Sequence, residues 1–186
     1  MPDAAGLELI RQQINEAHPD AVLDAGSAHG QAALTADPAR VLEVLAWLRD
    51  TPGQEYRFLS SLHVADYLPA RPRFGVHYEL LNMPRVERLR VKAMLDDPAA
   101  NGGSGGSGAA DRLPAIQSCV ELFPTAEFQE REAYDFFGIV FRGHPDLRRI
   151  LLPEDYVGWP LRRDFPVGGE PVLFTKDEPG SPGWYE

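Results

Sequence analysis

The sequence has little of what builds redox or metal centres. Its 186 residues include a single cysteine, Cys119. One cysteine cannot form an internal disulfide and cannot by itself hold an iron–sulfur cluster or a structural zinc ion, so the chain suits a reducing cytosol. The five histidines are scattered and form neither H-x-x-x-H nor H-E-x-x-H. We therefore predict no cofactor and no metal site in this chain, and expect any redox centre to belong to a partner.

Long apolar runs and a targeting signal are also missing. No window approaches the roughly 18 consecutive apolar residues that a transmembrane helix needs. The opening MPDAAGLELI has no basic region followed by an apolar one, as a secretion signal would. The net charge is −10, and an acidic chain is repelled by nucleic acid and by anionic membranes. We expect a soluble protein whose main partner is neither of these.

Hydrophobic periodicity predicts an α+β fold. Apolar residues at helical spacing predict one helix from Leu7 to about His18, and a second that starts with Asp37 as N-cap and stops at Thr51. The predicted strands are two short segments, Ala21–Leu23 and Gln31–Leu34, and three longer runs, Tyr56–Tyr67, Phe74–Leu81 and Val86–Leu95. The longer runs alternate apolar with polar residues, which favours N-terminal helices packed on one face of a mostly antiparallel sheet.

The chain divides into four predicted parts. An α+β domain spans 1–100, a flexible Gly/Ser loop 101–110, a helical segment that completes the domain 111–141, and an extended, proline-rich, partner-binding tail 142–186. The loop contains the spacing G-x-G-x-x-G. No strand precedes it and no helix opens directly after it, as a dinucleotide site requires, so a flexible linker is the better interpretation.

The stretch EREAYDFFGIVFRGHPDLRRIL, from Glu130 to Leu151, concentrates acids, arginines and aromatics. Its first part continues a helix predicted from Thr125 to Phe137 and ended by Gly138. One interpretation is a solvated helix face with i,i+4 ion pairs through Arg131. Asp135 would then lie in the last turn, where the helix dipole disfavours an anion, so we expect a cationic partner for it.

A second interpretation is acid/base or metal chemistry. The candidate groups are Glu130, Glu132, Asp135 and His144. Their spacing fits neither a metal site nor a nucleophile with its base, and no serine or cysteine lies nearby in the stretch. Because His144 stands between Gly143 and Pro145, a turn histidine hydrogen-bonded to backbone is the favoured interpretation.

The tail is rich in aromatic residues yet too rich in proline to form its own core. The aromatic residues are Tyr156, Trp159, Phe165, Phe174, Trp184 and Tyr185. Burying each would contribute about 1.5–3 kcal/mol, but ordering each backbone residue costs about 1–2 kcal/mol. The tail therefore needs a surface supplied by the domain or by another subunit, with Arg148, Arg149, Arg162 and Arg163 as anchors for carboxylates. A disordered tail is the alternative.

The stretch from Glu130 onward resembles a known protein family. The run from Glu130-Arg131-Glu132 through Asp135-Phe136-Phe137-Gly138 to Gly143-His144-Pro145 and Arg148-Arg149 resembles the signature of the C subunit of bacterial NADH-quinone oxidoreductase. This component of respiratory complex I has a mitochondrial counterpart called iron–sulfur protein 3. The resemblance continues through LPEDYVGWPLRRDFPV and marks these residues as signature or partner-interface positions: Glu130, Arg131, Glu132, Asp135, Phe137, Gly138, His144, Pro145, Arg148, Arg149, Trp159, Arg162, Arg163 and Phe165. The opening helix and NGGSGGSG depart from the family's pattern.

The resemblance implies a cofactor-free scaffold subunit of the peripheral arm. It implies a place beside the large quinone-site subunit, known as the D subunit, with the B and I subunits nearby, on the cytoplasmic side of the bacterial inner membrane. The complex passes electrons from NADH through FMN and iron–sulfur clusters to quinone and translocates protons. The equivalent subunit of a membrane-bound hydrogenase or a chloroplast-type dehydrogenase is an alternative, and a stand-alone acid/base hydrolase or metal enzyme is another.

Overall fold

The computed structural model describes residues 2–28, 30–98 and 113–166. Within these ranges the chain forms three helices and seven strands. The helices are α1 Ala4–Ala17, α2 Val41–Asp50 and α3 Ala126–Phe137. The strands are β1 Val22–Ala28, β2 Gln31–Ala36, β3 Phe58–Asp66, β4 Phe74–Asn82, β5 Glu87–Leu95, β6 Ala115–Gln117 and β7 Val140–Arg142. The predicted α+β class is confirmed.

Five strands form one sheet in the order β1-β2-β5-β4-β3. All neighbours are antiparallel except β2 and β5, which are parallel and joined by a connection that includes α2. Because β3, β4 and β5 follow one another as hairpins, β3 lies at an edge of the sheet. The short strands β6 and β7 form a separate parallel pair on either side of α3.

The core lies between the helices and one face of the sheet. Helices α1 and α2 bury the stripes that their spacing predicts, such as Leu7, Ile10 and Ile14 in α1. Alternate strand residues, such as Val76 and Tyr78 in β4, belong to the same buried cluster. Since the side chains of a strand alternate between faces, the intervening residues point to the other face; at its β3 edge, Ser61 and His63 line a cavity together with residues of α3.

The start of α2 is the clearest correction to the predicted elements. The helix begins at Val41, after Arg40, and not at Pro38. The Asp37 carboxylate accepts a hydrogen bond from the Ala39 backbone N–H at 2.9 Å, so it closes a turn that precedes the helix. Asp-Pro signals both structures, because the same side-chain contact to a nearby N–H starts either a turn or a helix.

The C-terminal tail is described as far as residue 166. After β7 it contains no further helix or strand up to that point, and it proceeds through a series of turns. The predicted Gly/Ser loop at 101–110 and the rest of the tail, 167–186, lie outside the described residues. None of the described helices is long and apolar enough to cross a membrane.

Candidate functional site

The site consists of α3 and the segment 143–166, which we call the anchored segment. Helix α3 ends at Gly138, whose φ of 68° is left-handed and whose N–H donates to the Tyr134 carbonyl at 2.8 Å. A Cβ at this position would lie 2.6 Å from the indole of Trp159. Glycine is therefore required twice, for the helix end and for the close approach of Trp159 from the anchored segment.

Asp135 joins the last turn of α3 to the start of the anchored segment. It is fully buried, and its carboxylate accepts hydrogen bonds from the backbone N–H groups of residues 150, 151 and 152 at 2.7–3.0 Å. Arg149 Nη1 donates to the same carboxylate at 2.8 Å, so the predicted cationic partner is confirmed. Burial raises the pKa of Asp135, but the hydrogen bonds from Leu152, Arg149 and their neighbours outweigh it and leave the pKa below its ordinary value.

The Arg149 side chain makes its hydrogen bonds within its own chain. Its Nη2 donates to the carbonyl oxygens of Tyr156 and Gly158 at 3.0 and 2.9 Å. Its guanidinium carbon lies 4.6 Å from the centre of the Trp159 ring. The structure thus places Arg149 at the centre of the anchored segment, and not as an anchor for another subunit's carboxylate.

Two further side chains tie the anchored segment to α3. His144 makes two backbone contacts: its Nε2 lies 2.9 Å from the Glu127 carbonyl oxygen, and its Nδ1 accepts from the Asp146 N–H at 3.0 Å. The turn-histidine interpretation is confirmed. Arg131 donates to the carbonyl oxygens of residues 148 and 149 at 3.3 and 3.2 Å, and no i,i+4 ion pair through it is present among the described residues.

Glu130 of α3 contacts the segment that precedes the helix. It is fully buried and accepts hydrogen bonds from the Ser118 hydroxyl at 2.6 Å and the Cys119 N–H at 2.8 Å. Burial raises the pKa of this carboxyl and also that of the Cys119 thiol. The solvated-face interpretation is therefore wrong for Asp135, which is an interior residue, as is Glu130. Glu132 is exposed.

The four candidate acid/base groups do not converge on one point. Asp135 is occupied by Arg149 and three N–H groups, His144 by backbone, and Glu130 by residues before α3. The described residues contain no group of three or more His, Cys, Asp or Glu side chains that could hold a metal ion. What these side chains do is hold chain segments together.

A second anchor holds the end of the segment to the turn between β3 and β4. Arg73 is buried and donates to Asp164 at 2.6 and 2.9 Å, and it also pairs with Asp66 and Asp97. Arg163 Nη1 donates to the Leu68 carbonyl at 2.7 Å. This network was not predicted, because its members come from distant parts of the sequence.

The remaining tail residues of the signature also face inward. Arg162 Nε donates to the Phe137 carbonyl at 2.7 Å, and its guanidinium lies over the Phe74 ring. Phe165 lies so close to Gly158 that a Cβ there would be 2.7 Å from it. Of the four arginines expected to bind a partner, Arg148 and Arg163 are exposed. Arg148 makes a single side-chain contact, to Asp146 at 2.8 Å, and Arg163 makes one side-chain hydrogen bond, to the Leu68 carbonyl.

Large apolar side chains remain on the outside of the site. Those more than half exposed are Phe128, Leu151, Val157 and Leu161, with exposed fractions of 52–88%. Pro145 is exposed as well. The anchored segment thus directs Arg149 and Arg162 toward its own chain and several large apolar side chains toward solvent, beside exposed charged residues such as Arg148 and Glu154.

Comparisons with known proteins agree with the arrangement. A family model described as the 30 kDa subunit of respiratory-chain NADH dehydrogenase matches residues 34–171. The C subunit of NADH-quinone oxidoreductase from Roseiflexus castenholzii is 41% identical over 166 residues, which cover 89% of this chain and 87% of the relative. The corresponding subunit of Herpetosiphon aurantiacus is 39% identical over 178 residues, 96% and 93% of the two chains.

Solved structures show the same fold. A trypsin-resistant fragment of Nqo5 is 27% identical, with a TM-score of 0.57 over 76% of this chain and 98% of the fragment. A chain of the membrane-bound sulfane sulfur reductase, an archaeal respiratory membrane complex, has a TM-score of 0.62 over 86% and 85% of the two chains at 21% identity, which concerns the fold alone. The chain belongs to the family of the 30 kDa subunit of respiratory-chain NADH dehydrogenase, which includes the C subunit of bacterial NADH-quinone oxidoreductase.

Proposed function

We propose that this chain is a cofactor-free structural subunit of the peripheral arm of a proton-translocating NADH:quinone oxidoreductase. In this role it holds the quinone-site and iron–sulfur subunits in place while electrons pass from NADH through FMN and iron–sulfur clusters, all bound by other subunits, to quinone. Family membership supports the assignment to the complex. The anchored segment supports the structural role.

One observation carries the proposal: three charged residues of the signature fix the anchored segment to α3. Asp135, Arg149 and Arg131 make hydrogen bonds that hold the backbone of 148–152 against α3. The exposed side chains of Leu151 and Val157 are thereby presented on a fixed backbone. Burying each against a partner would contribute about 1.5–3 kcal/mol, and the ordering cost of the segment has already been met within the chain.

The proposed partners are the other subunits of the complex, chiefly the large quinone-site D subunit, with the B and I subunits nearby. The chain would lie on the cytoplasmic side of the inner membrane and be attached to it only through the complex. Its net charge of −10 supports contact with proteins over contact with nucleic acid or with anionic lipid.

Arg148 offers the sharpest test, because its side chain is 61% exposed and makes only a surface ion pair with Asp146. We expect Arg148→Ala to lower the yield of assembled complex without changing flavin or iron–sulfur content per assembled complex. Arg57→Ala is the matched control: Arg57 also pairs at 2.8 Å with an acid two residues away and is 69% exposed, but it lies outside the anchored segment. Exposed pairs of this kind contribute about 0–1 kcal/mol to folding, so both variants should fold.

The assay is to purify the complex from gently solubilised membranes carrying each variant, and to measure its yield, its subunits by mass spectrometry and its NADH–quinone activity. Equal yields for Arg148→Ala, Arg57→Ala and wild type would count against the interface role of Arg148. Recovery with hydrogenase subunits would move the structural role to a related complex. Recovery of the wild-type chain alone would refute the proposal and favour an independent activity.

A further inference from the structure

The sheet face opposite the helices, which we call the open face, is formed by cross-strand rows of β3, β4 and β5. The central row is His63, His77 and Lys92, and the flanking rows are Ser61, Glu79, Arg90 and Ala65, Gly75, Met94. Arg88 extends the β5 column at the next row. Neither the anchored segment nor the proposed function uses any of these residues.

The open face is more closely packed than a solvated sheet face. His77 is only 4% exposed, and its ring is stacked parallel to that of His63 at 5.0 Å between centroids. The Tyr67 hydroxyl lies 3.1 Å from His77 Nε2, and a Cβ on Gly75 would lie 2.8 Å from the Tyr67 ring. Aromatic residues and methionine are enriched at protein interfaces.

The imidazole of His77 is also incompletely satisfied. Its Nδ1 is buried and has no hydrogen-bond partner among the described residues. Burial lowers the pKa of His77 to about 3, so the ring is neutral at pH 7 and adds no charge to the face. The charge of these rows of β3, β4 and β5 therefore comes from β5 and Glu79. Beyond β5, the row of Lys92 continues through Thr35 of β2 to Asp24 of β1.

The open face is basic, although the chain as a whole is acidic. Arg90 pairs with Glu79, the only carboxylate in the rows of β3, β4 and β5. Within the part of the chain that the structure describes, neither Arg88 nor Lys92 has an ion-pair partner; the Lys92 ammonium instead lies 4.9 Å from the centre of the Tyr67 ring. Two unpaired cations thus flank a packed aromatic patch in a protein whose net charge is −10.

We propose that the open face binds an acidic segment of a neighbouring protein subunit, with Arg88 and Lys92 pairing its carboxylates and the partly exposed Tyr67 and Met94 covering its apolar side chains. The inference rests on the proposed function, because it requires the chain to sit in a multisubunit complex. It adds a surface at the opposite side of the sheet from the helices. Charge complementarity is what selects an acidic occupant.

The lysine content of the chain makes a direct test possible. The sequence contains two lysines, Lys92 and Lys176. A zero-length carbodiimide cross-linker joins an ammonium only to a carboxylate that is already in contact with it. In the assembled complex carrying Lys176→Arg, we expect mass spectrometry to find Lys92 coupled to an Asp or Glu of another subunit. The matched control, Lys92→Arg with Lys176→Arg, keeps the charge but should lose the cross-link.

Acylation of Lys92 provides an independent readout. We expect a small amine-reactive ester to modify Lys92 severalfold more slowly in the assembled complex than in the isolated full-length chain. Equal rates would overturn the inference, since Lys92 would then be open to solvent in the complex. Coupling of Lys92 to a carboxylate of residues 167–186 of the same chain would also overturn it, by making the chain's own tail the occupant.

The two proposals fail in different ways. If the chain does not copurify with any other subunit, the proposed function fails before the cross-link is attempted. If it copurifies and Lys92 reacts freely, the structural role stands and only the assignment of the open face is wrong. A cross-link from Lys92 to an acid on the same sheet, such as Glu79, would likewise exclude an occupant at Lys92.

Discussion

Replacing Asp135 by asparagine should destabilise the folded chain by an amount that can be worked out from its contacts. The carboxylate accepts one hydrogen bond from Arg149 and three from backbone N–H groups. Asparagine has almost the same shape but a single acceptor oxygen. If that oxygen faces the three N–H groups, the amide NH₂ faces the guanidinium of Arg149, and two donors then oppose each other.

The magnitude follows from what Arg149 retains. Its side chain is 11% exposed, so the substitution leaves an almost buried cation without its counter-charge. Removing one partner of a buried ion pair costs about 3–5 kcal/mol. Arg149 would keep its contacts with the carbonyls of residues 135, 156 and 158, which places the expected loss near the lower limit, at about 3 kcal/mol. A domain of ordinary stability has about 5–15 kcal/mol in total.

Urea unfolding of the full-length chain measures this loss as a shift of the midpoint at constant slope. Asp50→Asn is the matched control, because Asp50 also pairs with an arginine at 2.8 Å but is 59% exposed. We expect a change within about 0.5 kcal/mol for the control. Trypsin should in addition cleave after Arg148 and Arg149 faster in the Asp135→Asn variant, since the side chain at 135 can no longer accept from both Arg149 and the backbone of 150–152.

Two outcomes would refute the reasoning. A stability equal to that of Asp50→Asn would mean that Asp135 does not hold the segment. A large loss of stability without faster cleavage after Arg149 would mean that the carboxylate stabilises α3 alone and that the segment is fixed by other contacts, such as those of Arg163 and Asp164.

Further predictions concern pH and backbone conformation. Because burial lowers the pKa of His77 from 6.5 to about 3, the folded state resists its protonation, and the free energy of unfolding should fall as the pH decreases from 6.5 toward 3. A His77→Gln variant should lose part of this dependence in urea titrations; an unchanged slope would contradict the burial argument. Gly138→Ala should lower the melting temperature more than Gly143→Ala, because both positions have positive φ but only the Cβ at 138 would meet Trp159. Equal losses would show that backbone strain alone determines the cost.

Hydrophobic periodicity was sufficient to predict the first two helices and the three longer strands. It was not sufficient for β1, which extends to Ala28, beyond the predicted Ala21–Leu23, or for the short strands β6 and β7, which were not predicted. The stripe Val41, Val44, Leu45 and Leu48 produces a buried helix face, and alternation in Phe74–Asn82 produces a strand with one buried face. These patterns depend on residues close in sequence, so sequence alone contains them. The boundary of α2 was wrong because Asp37 satisfies a nearby N–H in a turn as readily as in a helix.

Closeness in sequence also decides which polar contacts of the site could be predicted. The need of Asp135 for a cation could be predicted, because it arises from the helix dipole at a known position. The identity of that cation could not, since Arg148 and Arg149 are adjacent and equally plausible in sequence. The network of Arg73 with Asp66 and Asp164 was missed entirely, because Arg73 and Asp164 are 91 residues apart and no local pattern links them.

Some signature residues contact their own chain and others are exposed, so substitutions at the two kinds of residue should affect assembly in different ways. Substitutions at Asp135, Arg149 or Arg131 remove contacts within the chain and should weaken assembly indirectly, through loss of the anchored segment. Substitutions at Arg148 or at the exposed Leu151 leave those contacts intact and act on the partner directly. A loss of complex yield therefore identifies an interface residue only where the isolated chain keeps its stability and its resistance to trypsin. By that standard, adjacent Arg148 and Arg149 should belong to different classes.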